Sequence, residues 1–110
     1  MLIAKRNLIH RASGTDTSLE IRIFAPEQGE GDFFCRFEID WPEGTSRKSA
    51  FGLDTVQALE LALQMIGISL YTSSYHRLGQ IFFEKEGSGY GFSVPPNARD
   101  MLIGDDMNQF

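Results

Sequence analysis

The side chains that could carry chemistry are few and lie far apart in the sequence. His10 and His76 are the only histidines, and neither stands in an H-x-x-H or C-x-x-C pattern that would bring metal ligands together. Cys35 falls on the apolar face of a predicted strand, where burial disfavours the reactive thiolate. Asp105 and Asp106 lack the apolar surroundings that tune pairs of catalytic acids, so we interpret them as surface charge. The sequence therefore predicts no catalytic residue, no metal and no cofactor.

A polar connection after the longest predicted helix is the best candidate for a small-ligand site. Tyr75, His76 and Arg77 supply an aromatic ring, a group that titrates near neutrality and a fixed cation. If the connection folds back, Tyr71 and Tyr90 would complete a pocket between the C-terminus of the helix and the sheet. This mixture suits an anionic or aromatic ligand, and a solvated connection is the alternative interpretation.

The glycine-rich run GSGYG at 87–91 resembles a phosphate-binding loop only superficially. A P-loop needs a strand before it, a helix after it and a Gly-Lys-Ser/Thr sequence. Residues 92–96 end in Pro95-Pro96 and cannot begin that helix. We interpret the run as a turn.

Three aromatic side chains are out of phase with the core residues of their strands. Phe24, Phe34 and Phe82 would point to the sheet face opposite the helix, among charged residues that include Arg22 and Arg36. Aromatic residues ringed by charge are typical of an interface centre and its rim. This pattern predicts a surface for a protein partner or for a second copy of the chain. The alternative is that the first strand or the C-terminal segment covers these rings.

A helix over about 54–71 organises the fold. Asp54 is a good N-cap and Gln57 completes a capping-box-like pair. Gly67 would cost about 1 kcal/mol in a helix interior relative to alanine, which the close approach of another backbone would explain. Apolar residues at three- and four-residue steps predict the stripe that packs on the sheet, namely Val56, Leu59, Leu63, Ile66 and Leu70.

The rest of the chain predicts about five strands, at 2–10, 19–25, 33–41, 46–51 and 80–86. The first is expected at an edge and the third, in which FFCRFEIDW alternates strictly, at the centre. Pairing Arg22 with Glu38 sets the register between the second and third strands. Residues 26–32 are expected to form an exposed loop, 92–94 a short strand, 97–103 a short helix and 104–110 a frayed tail. The prediction is an α+β fold, with one twisted antiparallel sheet, the long helix on one face and a short C-terminal helix.

Composition narrows the class of protein. At 110 residues the chain is long enough for one core, which predicts a single domain over 1–110. The net charge of −5 and the scattered Lys and Arg argue against nucleic-acid binding. The start MLIAKRNLIH is unlike a signal peptide, and no apolar run is long enough to predict a membrane span. The single cysteine fits a reducing compartment, so we expect a cytoplasmic protein.

The helix segment also resembles that of a family of small uncharacterised bacterial proteins. The resemblance rests on the pattern G-x-D-x-x-Q-A-L-x-L-A-L-x-x-I-G over 52–67, with CRFEI at 35–39 upstream and GYGF at 89–92 downstream. It implies a bacterial source and a shared fold. It implies no activity and no site.

Two functional hypotheses follow. The first is a non-enzymatic cytoplasmic domain that binds a protein through the face bearing Phe24, Phe34 and Phe82, either as a homodimer or as a regulatory or immunity-type partner. The second is a small-molecule-binding or enzymatic domain with the pocket described above. A concave pocket with converging polar groups would distinguish the second from the first.

Overall fold

A computed structural model describes residues 1–110 and confirms the α+β architecture. The strands are β1 Leu2–Ala12, β2 Thr15–Phe24, β3 Glu27–Gln28, β4 Phe33–Trp41, β5 Gly44–Gly52 and β6 Ile81–Phe82. The α-helices are α1 Thr55–Tyr71, α2 Ser74–Arg77 and α3 Asp106–Gln109, and a 3₁₀ helix spans Pro96–Met101. None of the helices combines the length and the apolar character needed to cross a membrane.

All strands belong to one antiparallel sheet. β1, β2, β4 and β5 pair in succession, and β6 adds to the free side of β1. β4, predicted at the centre, is an interior strand with β5 on one side and β2 and β3 on the other, and β2 holds the middle position. The two-residue β3 lies within the segment expected to be a loop. It continues the line of β2 beyond Pro26, which has no backbone N–H for the ladder.

The first and last strands differ from the prediction. β1 pairs with β2 along most of its length and also meets β6 through Ile9 and His10, so it is not a simple edge. β6 spans two residues instead of the predicted seven. The chain turns away directly after it, because Glu84 adopts a positive φ of 66° and residues 83 and 85 form a bridge.

The predicted register of the central strands is confirmed. Arg22 lies opposite Glu38, Ile21 opposite Ile39 and Ile23 opposite Phe37. Because side chains alternate along a strand, this register places the apolar residues of both strands on one face. That face is the inner face of the sheet, and Ile21, Phe37 and Ile39 are almost completely buried on it.

Helix α1 begins as predicted. The side chain of Asp54 accepts a hydrogen bond from the backbone N–H of Gln57 at 2.8 Å, and the Gln57 side chain accepts from the N–H of Leu53 at 2.7 Å. Both bonds satisfy donors that the helix itself cannot pair. The cap therefore fixes the point at which the chain leaves β5 and turns across the sheet.

The predicted apolar stripe of α1 is partly wrong. The residues buried at four-residue steps are Ala58, Ala62, Ile66 and Leu70. Leu59 and Leu63 pack beside this row and are only partly buried, and Val56 is 70% exposed. Alanines at the contact row let the helix backbone lie close to β4 and β5, so larger side chains are displaced to its flanks.

The C-terminal segment covers the rest of the inner face. Phe92 and Val94 are buried in the core, but their backbone is irregular and does not form the predicted short strand. A Cβ on Gly67 would lie 2.0 Å from the carbonyl oxygen of Ser93. The predicted approach of another backbone at Gly67 is therefore confirmed.

The tail was expected to fray, and this expectation is wrong. Residues 106–109 form α3, and the side chain of Asp106 is 1% exposed. The interpretation of Asp106 as surface charge is also wrong, since its carboxylate lies among buried hydrogen-bond donors described below. Asp105, its neighbour, is exposed.

We expect Gly67→Ala to destabilise the protein although alanine favours helices. The added methyl would meet a backbone atom that cannot rotate away, and overpacking of this kind costs about 1–3 kcal/mol. Urea unfolding followed by circular dichroism would measure the loss. Glu60→Ala, on the exposed side of the same helix, is the control and should change the free energy of unfolding by less than about 0.5 kcal/mol. A stabilised Gly67→Ala protein would contradict the close approach.

Candidate functional site

The aromatic residues predicted to form an interface lie on the outer face of the sheet but not in one group. Phe24 and Phe34 lie near one end of the sheet, where Phe34 pairs with Phe51 and their ring centroids are 6.3 Å apart. Phe82 pairs with Ile9, about six residues along the ladder from the pairing of Phe24 with Leu2. Strands rise roughly 3.3 Å per residue, so Phe82 is about 20 Å from Phe24 along the sheet.

Arginines cover part of these rings. The guanidinium carbon of Arg36 lies 5.1 Å from the centroid of Phe24, and that of Arg11 lies 4.9 Å from the centroid of Phe82. Phe82 is only 5% exposed, whereas Phe24 and Phe34 are half-buried. The structure therefore brings Phe24, Phe34 and Arg36 together and leaves Phe82 apart under its own cation.

Arg22 is the centre of an ion-pair network in the middle of the outer face. It donates to Glu38 at 2.8 Å, to Glu20 at 2.9 Å and to both oxygens of Asp40 at 2.6 and 2.7 Å. The hydrogen bonds from Arg22, and then from Thr45, lower the pKa of Asp40 to about 2. The carboxylates raise the pKa of Arg22 in turn. These bonds link β2 to β4 and occupy the donors of Arg22, so few of them remain for a binding partner.

The exposed apolar side chains are concentrated at the end of the sheet where β1 starts and where β5 leads into α1. Six of the eight exposed large hydrophobic residues lie at this end: Met1, Leu2, Ile3, Phe51, Leu53 and Val56. Leu2 pairs with Phe24, and Phe51 pairs with Phe34, so two of the six are next to the predicted aromatic residues in the strand ladder. We call these six residues with Phe24 and Phe34 the apolar end.

Sequence reasoning missed most of the apolar end. Phe51 follows Ala50, which is buried. Because neighbouring residues of a strand point to opposite faces, this order could have identified Phe51 as an outward-facing side chain. Leu53 and Val56 flank the helix cap and are exposed, although Val56 was predicted to pack on the sheet. Phe24 and Phe51 also line one open cleft of about 380 Å³ together with Arg36 and Arg47.

The residues predicted to line a pocket are brought together, but they fill the space themselves. Tyr71 and Tyr90 are 3% and 1% exposed, with ring centroids 4.9 Å apart, and the ring of Tyr71 lies 5.0 Å from that of His76. The hydroxyl of Tyr90 lies 2.5 Å from Nδ1 of His76. Burial lowers the pKa of His76, which favours the neutral imidazole beside this hydroxyl.

The other two members of the predicted pocket lie at its margin. Tyr75 stacks on Trp41 with a 5.5 Å centroid distance and a 15° interplanar angle, and its hydroxyl donates to Glu43. The ring of His10 meets Tyr75 edge-on at 5.2 Å, and Nε2 of His10 is buried without a hydrogen-bond partner. Arg77 is exposed and forms no ion pair. Three surface clefts of about 270–380 Å³ are lined by other residues.

The residue that sequence reasoning missed in this cluster is Asp106. Its Oδ2 accepts hydrogen bonds from the Tyr71 hydroxyl at 2.6 Å and from the backbone N–H of Tyr90 at 2.9 Å. Its Oδ1 accepts from the N–H of Gly91 at 2.9 Å. Burial, and then the bond to Asp106, raise the pKa of Tyr71, so the phenol stays protonated and donates. No local sequence signal identifies such a carboxylate, since its partners lie 15 to 35 residues away.

Neither a metal centre nor a reactive thiol is assembled. No group of three or more His, Cys, Asp or Glu residues is placed to hold a metal ion. The thiol of Cys35 is buried in the core, and burial raises its pKa, which disfavours the nucleophilic thiolate as predicted.

Comparison with known proteins gives one match. Residues 4–94 match the family described as Domain of unknown function (DUF6968). No curated protein and no solved structure matches the chain. The match spans all strands of the sheet and α1, and it stops before α3 and Asp106.

We expect Tyr71→Phe to lower the free energy of unfolding by about 1.5–3 kcal/mol, since it removes a buried hydrogen bond to a charged group. Urea unfolding at pH 7 would measure it. The matched control is Tyr75→Phe, whose hydroxyl bonds the exposed Glu43 and whose loss should stay below about 1 kcal/mol. Equal losses in the two variants would contradict a central role for Asp106.

We expect the Arg22 network to make stability sensitive to acid. The pKa of Asp40 is about 2 in the folded protein and 3.8 ordinarily, so the carboxylate stabilises the fold above pH 4 and loses that effect as the pH falls to 2. The melting temperature of Asp40→Asn should therefore fall less than that of the wild type across this interval. Asp100→Asn, at an exposed acid without an ion pair, should follow the wild type. An unchanged pH profile for Asp40→Asn would contradict the network.

Proposed function

The chain belongs to the DUF6968 family, and we propose that it is a non-enzymatic protein-binding domain that acts through its apolar end. The observation that carries this proposal is the concentration of six exposed large hydrophobic residues at one end of a sheet. Contiguous exposed apolar surface rimmed by charge is typical of protein interaction sites. We place this function in the bacterial cytoplasm, where the single buried thiol would remain reduced.

The surroundings of the apolar end support a preformed surface. Arg36 is paired with Glu27 at 3.2 Å and Arg47 with Glu38 at 3.1 Å, so both cations lie on the rim with their positions restricted. Behind them, Arg22 ties β2 to β4. A partner would therefore bury the apolar residues with little reorganisation of the sheet, which lowers the entropic cost of binding.

The edge of the sheet adds a second means of contact. β5 pairs only with β4, so the backbone groups on its other side are open. Phe51 is at the C-terminal end of this strand and belongs to the apolar end. An extended partner segment could pair with β5 while its side chains contact Phe51, which is the geometry of strand addition. Arg47 and Lys48 on the same strand would disfavour a basic segment and favour an acidic one.

The alternative, a small-molecule or enzymatic pocket at the helix C-terminus, receives less support. Tyr71, His76 and Tyr90 are in mutual ring contact and leave no cleft between them. A ligand would have to displace one of these rings. A regulatory or immunity-type role is a narrower form of the protein-binding proposal and depends on the identity of the partner.

We expect Phe51→Glu to weaken association at least about tenfold, because it introduces a charge into the centre of the contact. Light scattering over a range of concentrations tests self-association first, and Phe34→Glu provides a second variant within the apolar end. The matched control is Leu78→Glu, which places the same charge on an exposed leucine outside the apolar end. If the wild type is monomeric, the same three variants are compared in chemical crosslinking to proteins from the source organism.

Two results would contradict the proposal. One is a wild type that remains monomeric and gives no crosslinked partner. The other is partner binding that Phe51→Glu and Leu78→Glu reduce equally, because the apolar end would then have no special role. Circular dichroism of each variant shows that the fold is retained.

A further inference from the structure

The side chain of Arg6 lies on the inner face of the sheet, where core residues are expected. It pairs with Ile21, and its neighbour on the same face of β1 is Leu8. Ile21 and Leu8 are 0% and 1% exposed. Placing a guanidinium among such residues is costly unless it is paired. Arg6 nevertheless forms no ion pair with any carboxylate of the chain.

The guanidinium is held in a fixed orientation. Its Nη1 donates to the carbonyl oxygens of Tyr90 at 3.0 Å and Gly91 at 3.1 Å. Its Cζ lies 4.6 Å from the ring centroid of Phe83 and 5.1 Å from that of Phe92. A Cβ on Gly91 would lie 2.2 Å from Nη1, so glycine is needed for this approach. These contacts position the cation before any ligand arrives.

One edge of the guanidinium is left free. Nε and Nη2 of Arg6 make no hydrogen bond within the chain, and neither is a buried atom without a partner, so both reach solvent. Their N–H groups are parallel and match the two oxygens of a carboxylate. Arg6 therefore offers an oriented, unneutralised anion receptor.

Arg6 borders two clefts of opposite electrostatic character. The turn cleft, about 270 Å³, lies between residues 83–91 and α3. Its lining holds three acids, Glu84, Asp105 and Asp106, against Lys85 and Arg6. The β1 cleft, about 290 Å³, has Lys5 and Arg6 in its lining and no Asp or Glu. Its apolar lining consists of Ala4, Ile23, Leu63, Phe92 and Phe110. An organic anion is repelled from the first cleft and attracted to the second.

We propose that the β1 cleft binds a small monocarboxylate with an apolar body, whose carboxylate accepts hydrogen bonds from Nε and Nη2 of Arg6. The apolar body lies against Leu63, Phe92 and Phe110. A mostly apolar cleft with one oriented polar group is typical of small-ligand sites, and this volume suits a small ligand. The site shares no residue with the apolar end and goes beyond the proposed protein-binding function.

The test is a titration of the ¹⁵N-labelled protein with phenylacetate at constant ionic strength, followed by NMR. We expect saturable shifts of the Arg6 side-chain N–H and of the Phe92 and Ser93 amides in the millimolar range. Phenylacetamide, the neutral isostere, should bind at least about tenfold more weakly because it cannot accept two charge-assisted bonds. Acetate and inorganic phosphate should also bind more weakly, since they lack the apolar body.

Variants separate the two clefts. Arg6→Lys keeps the charge but loses the planar fork, so we expect about tenfold weaker binding of phenylacetate. Ala4→Phe fills the β1 cleft without removing a contact of Arg6 and should abolish binding of phenylacetate. This second variant tests the site even if Arg6→Lys does not fold. The control is Lys85→Gln in the turn cleft, where binding should be unchanged.

Three results would overturn the proposal. Absence of shifts at Arg6 with phenylacetate would exclude the site. If phenylacetamide bound as tightly as phenylacetate, the guanidinium fork of Arg6 would play no part. If acetate bound as tightly, the apolar lining would play no part. A loss of binding in Lys85→Gln as large as that in Arg6→Lys would place the anion in the turn cleft.

Discussion

The buried carboxylate of Asp106 joins three segments that are distant in the sequence. Its two oxygens accept bonds from the Tyr71 hydroxyl at the end of α1 and from the N–H groups of Tyr90 and Gly91. A buried charge is tolerated only when its acceptor sites are satisfied, so these partners must be in place together. The glycine-rich turn, the helix and the C-terminal segment are thereby fixed as one unit.

This unit also sets the position of Arg6. The same segment, residues 90 and 91, donates through its N–H groups to Asp106 and accepts through its carbonyls from Arg6. A short stretch of backbone thus lies between a buried anion and a part-buried cation, which is electrostatically favourable for the peptide dipoles. Loss of Asp106 would be expected to loosen the β1 cleft as well as the fold.

The outer and inner faces of the sheet differ in what covers them. On the outer face, ion pairs around Arg22 occupy the middle, and Phe24, Phe34 and Phe51 of the apolar end lie beyond them. On the inner face, α1 covers β4 and β5, and the C-terminal segment covers the remainder. A protein bound at the apolar end and a ligand in the β1 cleft would not compete for residues. The family match ends at residue 94, so α3 and Asp106 lie outside the part of the chain that it covers.

The sequence alone determined the features that depend on near neighbours. The Asp54 cap, the alternation in β4 and the pairing of Arg22 with Glu38 follow from rules that span a few residues or one strand pair, and the structure confirms them. The backbone contact at Gly67 was also predicted, because glycine inside a helix needs a steric reason.

Only the tertiary structure decided which surfaces are free and which are filled. The long-range bonds join Arg6 to Tyr90, 84 residues away, and Tyr71 to Asp106, 35 residues away, and no periodicity records such pairs. The buried row of helix α1 starts at Ala58 and leaves Val56 exposed. The pairing of Phe82 with Ile9 places that ring far along the sheet from Phe24, which lies opposite Leu2. Each outcome depends on how closely two distant segments pack, which the side-chain pattern of either segment does not specify.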